Sequence, residues 1–341
     1  MLKYTIIFIS LLIVGCDTKD KERADLSSIF DTNKQEFKIN NEKDTTITCQ
    51  DGTIIKIPKH SFTVSESDSI RFVVKEVYTK SDMIKAGLST TSNNRILESK
   101  GMVYIQSLHD QTELALNKPI EIAFAGNINS EEYKVFYGAF SNKKINWVLD
   151  TTTSNYHIFI NHILKGSPCG NCDYAYEDFI IDSLKWNRGY THVDTIVTFT
   201  HSNDTLPFSF ITWMDVTSTN SRDRVIDKVF SASKLQWINC DRFIDFQEFT
   251  TVHIAANKIQ NPYVFCVFKD YNSILQSDSQ NTMEGVPVGQ MVSIIGIDFK
   301  EDDIYFGMIP NIKITKDMTI KLRLEKTDKE IVDRVIGRLD K

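Results

Sequence analysis

Two thiols three residues apart, in Cys169-Gly170-Asn171-Cys172, form the spacing in this chain best suited to sulfur chemistry. Four readings fit the pair, the simplest being two free thiols. A local structural disulfide is the plainest in an oxidising compartment. A low-pKa redox pair needs its first thiol at a helix N-terminus and expects a βαβ setting, which the surrounding residues do not suggest. A metal half-site needs closed spacing of four ligands. The nearest histidines, His157 and His162, stand five residues apart on an expected strand and turn.

The other candidate groups are dispersed. The seven histidines (His60, His109, His157, His162, His192, His201 and His253) form no His-Glu-x-x-His motif, and no nucleophile elbow or phosphate-binding glycine loop occurs. Glu131-Glu132 and Asp302-Asp303 are adjacent pairs, so on a strand their carboxylates face opposite ways. Asp298, Glu301, Asp302 and Asp303 are hard oxygen donors of the kind calcium takes, but they lack the Asp-x-Asp-x-Asp-Gly order. In Trp237-Ile238-Asn239-Cys240-Asp241-Arg242-Phe243, a strand puts Trp237, Asn239 and Asp241 on one face. That face offers an aromatic platform with polar neighbours for a sugar or peptide. The competing expectation buries Trp237 in the core, bonds Asn239 and Asp241 to backbone at a turn, and pairs Arg242 with a carboxylate.

The cysteine with the clearest chemistry is Cys16. Lys3 is followed by an apolar run through Leu12, then Ile13-Val14-Gly15-Cys16. Charge, short apolar core and small-residue junction are the layout of a secretory signal. The run is too short to span a bilayer, which takes about 20 apolar residues. The junction resembles the lipobox of bacterial lipoproteins. That resemblance implies diacylglycerol on the Cys16 sulfur, cleavage before Cys16 and acylation of the new amino group, and several acyl chains anchor stably. Asp17 after the lipidated cysteine resembles an inner-membrane retention signal in enteric bacteria. In Bacteroidetes-type bacteria, acidic residues there resemble a surface-export signal. The expected address is the cell envelope, with the outer membrane favoured and its periplasmic or surface face left open.

Loss of Lys3 with the signal takes the formal net charge from −6 to −7, and lipidation leaves five of six cysteines, an odd number. A mildly acidic chain carries no nucleic-acid footprint. Cys49 shares a strand face with Ile47 and reads as a buried thiol, while Cys240 and Cys266 either pair or pack. Abundant Phe, Tyr, Thr and Ile favour strands. Short β-rich runs are expected over 45–49, 53–57, 70–77, 102–107, 119–124, 133–138, 145–149 and 156–160, with a hairpin turn at Asp51-Gly52. A helical turn follows Thr79 over 81–86. Strands resume over 193–200, 208–213, 248–256, 263–269, 291–298, 303–306 and 319–325. Ile331, Val332, Val335, Ile336 and Leu339 recur at helical spacing, giving an amphipathic C-terminal helix packed on the last sheet.

The fold class expected is mostly β, with two β-sandwich-like domains, few helices and that final helix. The organisation is a signal peptide over 1–15 and a polar tether over 16–36, too charged to fold. An N-terminal β-sandwich spans 37–165, a Cys-containing connector 166–190, and a C-terminal β domain 191–341.

Phe37-Lys38-Ile39, the run Asp51-Gly52-Thr53-Ile54-Ile55-Lys56-Ile57-Pro58-Lys59-His60-Ser61-Phe62 and Leu97-Glu98-Ser99-Lys100-Gly101-Met102 resemble a module of Bacteroidetes lipoproteins. Trp237 to Phe243 and Val286-Pro287-Val288-Gly289 resemble companion pieces of the same proteins. More distantly, the Gly-Thr-x-Ile-x-Ile-Pro core is similar to the β-sandwich of netrin receptors and ankyrins. Some members of that fold cleave themselves at His-Phe-Ser; here the order is His60-Ser61-Phe62, elsewhere in the domain, so self-cleavage is not implied. The resemblance implies an interaction module. The expected role is a non-enzymatic structural or binding module with no cofactor, touching the membrane through lipid on Cys16 and an envelope protein, peptide or glycan as partner. The alternatives are an envelope hydrolase or thiol-redox enzyme assembled from distant residues, and an accessory subunit of an outer-membrane uptake or secretion complex.

Overall fold

The computed structural model describes residues 26–30, 34–64, 69–126, 132–141, 144–151, 155–162, 195–201, 229–257 and 261–340, the strands alone being described at 155–162 and 195–201. The fold is mostly β, in four sheets. Sheet A runs β1 (Lys34–Asn40), β4 (Ser69–Val77), β6 (Arg95–His109), β14 (Gln236–Phe243), β9 (Lys134–Ser141) and β10 (Lys144–Leu149). Short β5 (Thr91–Ser92) and β7 (Thr112–Glu113) pair with β6. Sheet B runs β12 (Thr195–His201), β11 (Asn155–His162), β13 (Val229–Ala232), β8 (Ile120–Ala123), β3 (Ile54–Ile57) and β2 (Thr45–Thr48). Sheet C runs β17 (Ile274–Gln276), β16 (Tyr263–Phe268), β19 (Met291–Lys300), β20 (Asp303–Lys313) and β22 (Glu325–Thr327). Sheet D runs β18 (Thr282–Pro287), β15 (Phe249–Ala256) and β21 (Met318–Leu322), with β15 and β21 parallel.

The sheets stack in the order B, A, C, D, because strand alternation supplies apolar residues to both faces of the two middle sheets. Between B and A lie Ile55, Ile122 and Phe230 against Phe72, Val103 and Ile238. The other face of A sends Met102, Phe136 and Trp147 against Tyr263, Phe265 and Ile295 of C. The far face of C packs Val264, Cys266 and Ile294 on Val252, Ile254 and Ile320 of D. Three helices seal the middle core: α1 (Leu26–Ile29), α2 (Lys80–Lys85) and α3 (Lys329–Ile336).

Local chemistry explains the joints. Gly52 takes φ 106° in the turn between β2 and β3, where Cys49 N–H donates to the Thr53 carbonyl at 2.8 Å. The buried Glu76 carboxylate holds this turn from the neighbouring sheet, accepting from Asp51 N–H at 2.8 Å and Thr53 N–H at 2.9 Å. Thr79 caps α2, accepting from Asp82 N–H. Across the sheet, Gly101 leaves room for the Tyr78 ring: a Cβ there would stand 2.2 Å from Tyr78 Cε1.

Two expectations are corrected. Residues 229–243 do not belong to a C-terminal domain beginning at 191: β13 pairs β8 in sheet B, and β14 lies between β6 and β9 in sheet A. Burying Ile238 and Cys240 in the first core is the driving force, and no local signal reveals so distant a pairing. The tether does not extend to residue 36. Leu26 and Phe30 are buried in the middle core and β1 pairs with β4; Leu26, Ile29 and Phe30 have the i, i+3, i+4 spacing of a helix face. The final helix packs in the middle core beside α2, in one cluster with residues of sheet C, burying Val332 and Ile336, with Lys85 paired to Asp333 at 3.1 Å. The connector over 166–190 lies outside the described residues.

A chain ending at residue 165 lacks β13 and β14 and therefore the middle of both sheets of the first sandwich. It is expected to show no cooperative unfolding transition in urea by circular dichroism. A sharp transition would show instead that residues up to 165 fold alone.

Candidate functional site

A groove of about 580 Å³ opens on the face of sheet A that looks toward sheet C. Its floor is one cross-strand row. Lys34 of β1 pairs with Lys75 of β4, Lys75 with Tyr104 of β6, and Tyr104 with Trp237 of β14. The Tyr104 and Trp237 rings lie 5.4 Å apart at 56°, and Lys75 Nζ stands 5.9 Å from the Tyr104 centroid, a cation–π distance. Gln106 and Val73 continue the floor; Leu26 and Ser27 of α1, Ala86 and Gly87 after α2, and Tyr263 wall it. Phe140 stands at the rim, 57 % exposed. Gly138 matters here for its missing side chain, since a Cβ would come within 2.8 Å of Trp237 Cβ and 2.7 Å of Ile145 Cδ1.

Burial, with Glu113 nearby, holds the Tyr104 phenol above its ordinary range. Its hydroxyl therefore stays a neutral donor and acceptor at physiological pH. The groove thus offers two aromatic faces, two ammonium groups, an amide and a phenol on a paired, rigid sheet. The volume falls in the range of small-ligand sites.

Trp237, Asn239 and Asp241 share a face as expected, but the structure assigns them different depths. Trp237 is half-buried at the groove, whereas Asn239 and Asp241 are fully buried further along β14. The expectation that both bond backbone is corrected. Asn239 Nδ2 donates to Asp241 Oδ2 at 2.5 Å, and Ser99 Oγ donates to Asn239 Oδ1 at 2.9 Å. A bulge in β6 at Lys100, opposite the Cys240–Asp241 step of β14, sets this register, so that Asp241 faces Ser99. Burial pushes the Asp241 carboxyl well above the usual carboxylate range, Ser99 and Asn239 opposing the rise and Glu98 adding to it. Arg242 pairs as expected with carboxylates, Glu98 at 2.7 Å and Glu132 at 2.8 Å. Asp241 is thus a structural acid inside the stack, out of reach of the groove's solvent.

The remaining candidates do not converge. Cys16, Cys169 and Cys172 lie outside the described residues, as do the side chains of His157, His162 and His201. His60, His109 and His253 sit apart, beside Glu42, Asp110 and Thr282. Asp298 Oδ1 accepts from Phe299 N–H at 2.8 Å, and Asp303 pairs with Lys326 at 2.7 Å. Among the described residues no three His, Cys, Asp or Glu side chains gather in a metal-holding group. Cys49, Cys240 and Cys266 are buried and form no disulfide, and desolvation pushes Cys49 and Cys266 up to about 12. Cys240 and Cys266 lie in different cores and do not pair. Among the described residues no helix is long and apolar enough to cross a membrane.

Sequence reasoning reached Trp237 but missed Lys34, Lys75, Tyr104 and Phe140. Their alternation was readable; the register that aligns four strands separated by up to 203 positions, from Lys34 to Trp237, was not.

A pH test follows from Asp241. Its folded pKa lies above the unfolded value of about 4. The folded chain therefore keeps a proton that the unfolded chain releases above that pH, and stability falls as pH rises from there toward the folded pKa. Asp241→Asn removes this slope. Urea midpoints of the variant are expected to match the parent near pH 4 and exceed it at neutral pH; parallel curves would mean the carboxyl is not held protonated.

Compared with family models, curated proteins and solved structures, the chain matches none.

Proposed function

We propose that this chain is a lipid-anchored bacterial envelope protein that acts as a non-enzymatic binding module through the groove of sheet A. The observation supporting the binding role is the aligned row of Lys34, Lys75, Tyr104 and Trp237 on four paired strands. Its polar groups are donors suited to orienting a ligand, and the strands hold them without a change of backbone shape. The anchor reading rests on the signal and junction ending at Cys16. Nine residues lie between Cys16 and Leu26 in the groove wall, so ten peptide steps put that wall at most about 35 Å of chain from the lipid.

Two measurements test this. Cys16→Ser is expected to abolish metabolic labelling with palmitate and move the protein from the membrane to the soluble fraction; persistent labelling would refute the anchor. The soluble Cys16→Ser chain is then screened against glycan and peptide libraries. Trp237→Ala is expected to weaken any hit about tenfold or more, the size of a binding hot spot, with a native circular dichroism spectrum at the assay temperature and a lower melting temperature from the lost packing. A hit indifferent to Trp237→Ala would move the binding site elsewhere, and an empty screen would remove the binding role.

A further inference from the structure

We propose that the groove binds an acidic glycan, its sugar faces on Tyr104 and Trp237 and its anionic groups on Lys75 and Lys34; this rests on the binding-module reading above. Three features carry it. The first is charge. Alternation puts Lys34, Glu36 and Lys38 of β1 and Arg71 and Lys75 of β4 on the groove face. Glu36 sits 2.5 Å from Lys34 and 3.8 Å from Arg71, and Glu113 accepts from Gln106 at 3.4 Å. Four cations therefore share the face with two carboxylates, on a chain of formal net charge −6. Among the described residues Lys75 has no carboxylate within ion-pair distance, and its ammonium lies over the aromatic floor.

The second is shape. Adjacent strands are spaced by about 4.8 Å, so the row from Lys34 to Trp237 runs about 14 Å across three intervals, a length suited to a short oligosaccharide. The tilted Tyr104 and Trp237 rings at one end give flat apolar surface, while Gln106 and the Tyr104 hydroxyl supply hydrogen bonds between aromatic floor and cations.

The third separates a glycan from a peptide. The floor is the face of a sheet whose backbone groups are already paired on both sides of β4, β6 and β14. A peptide added by main-chain pairing would need the free edge of β1, at the Lys34 end of the row, and would leave the Tyr104 and Trp237 faces two and three strands away uncovered. A glycan needs only side chains.

The test uses the full mature chain with Cys16→Ser and isothermal titration calorimetry. The probes are oligogalacturonate, heparin oligosaccharides, maltohexaose as a neutral control, and vesicles of phosphatidylglycerol. Binding is expected for a carboxylated or sulfated glycan, weakening as salt rises, with at least a fivefold loss and a shallower salt dependence in Lys75→Gln. Lys34→Gln provides a second, more exposed site should Lys75→Gln unfold. Maltohexaose binding as tight as the acidic glycans, or full affinity in both lysine variants, overturns the proposal. Vesicle binding without glycan binding also overturns it, making the face a membrane contact. Silence toward all these probes overturns it too. If the library screen still yields a Trp237-dependent ligand, the binding-module reading stands; if it does not, both fall.

Discussion

The insertion of β14 between β6 and β9 is the constraint on which the rest of the molecule depends. This strand pairs on both sides, and its alternate residues serve different cores: Ile238 and Cys240 face sheet B, and Trp237, Asn239 and Asp241 face the other way. Each fully buried aliphatic side chain of this kind is worth about 1.5–3 kcal/mol. Sheet A is thereby covered on both faces, and two sandwiches become one four-sheet stack instead of two domains on a linker. The helices follow from the same geometry, since α1, α2 and α3 close the middle core where sheets A and C do not cover each other.

The groove and the buried polar cluster are two outcomes on one face. Where sheet C and the helices cover sheet A, Asn239 and Asp241 of β14 join Ser99 of β6 in a chain that leaves Asp241 Oδ1 without a partner, and burial raises the acid's pKa. A buried carboxyl that keeps its proton avoids the cost of an unpaired buried charge. Where that cover ends, the same face opens at Lys75, Tyr104 and Gln106. Trp237 marks the border, half-buried against Gly138 and half presented to the groove.

Much of the local structure was legible. Asp51-Gly52 announced a turn because glycine tolerates positive φ, and Gly52 adopts it. Thr79 announced a helix start, and α2 begins at Lys80. Ile320 and Leu322 alternate with exposed Lys321 and Arg323, as a half-exposed strand requires. The start of the body was misplaced because charged residues flank Leu26, Ile29 and Phe30 and mask a single turn of apolar helix. The seam between sandwiches was misplaced because β14 resembles any short strand, and its partners lie roughly 100 to 145 residues earlier.

By itself the sequence determined the strand-rich class, the turns, the amphipathic final helix and which residues of each strand share a face, because these depend on neighbours a few positions apart. Only the tertiary structure decided the order of strands, the stacking of four sheets and the depth of each residue on a face. The groove belongs wholly to that second class. Lys34, Lys75, Tyr104 and Trp237 become neighbours through antiparallel registers between strands far apart in sequence, and the apolar surface buried on both sides of sheet A selects those registers.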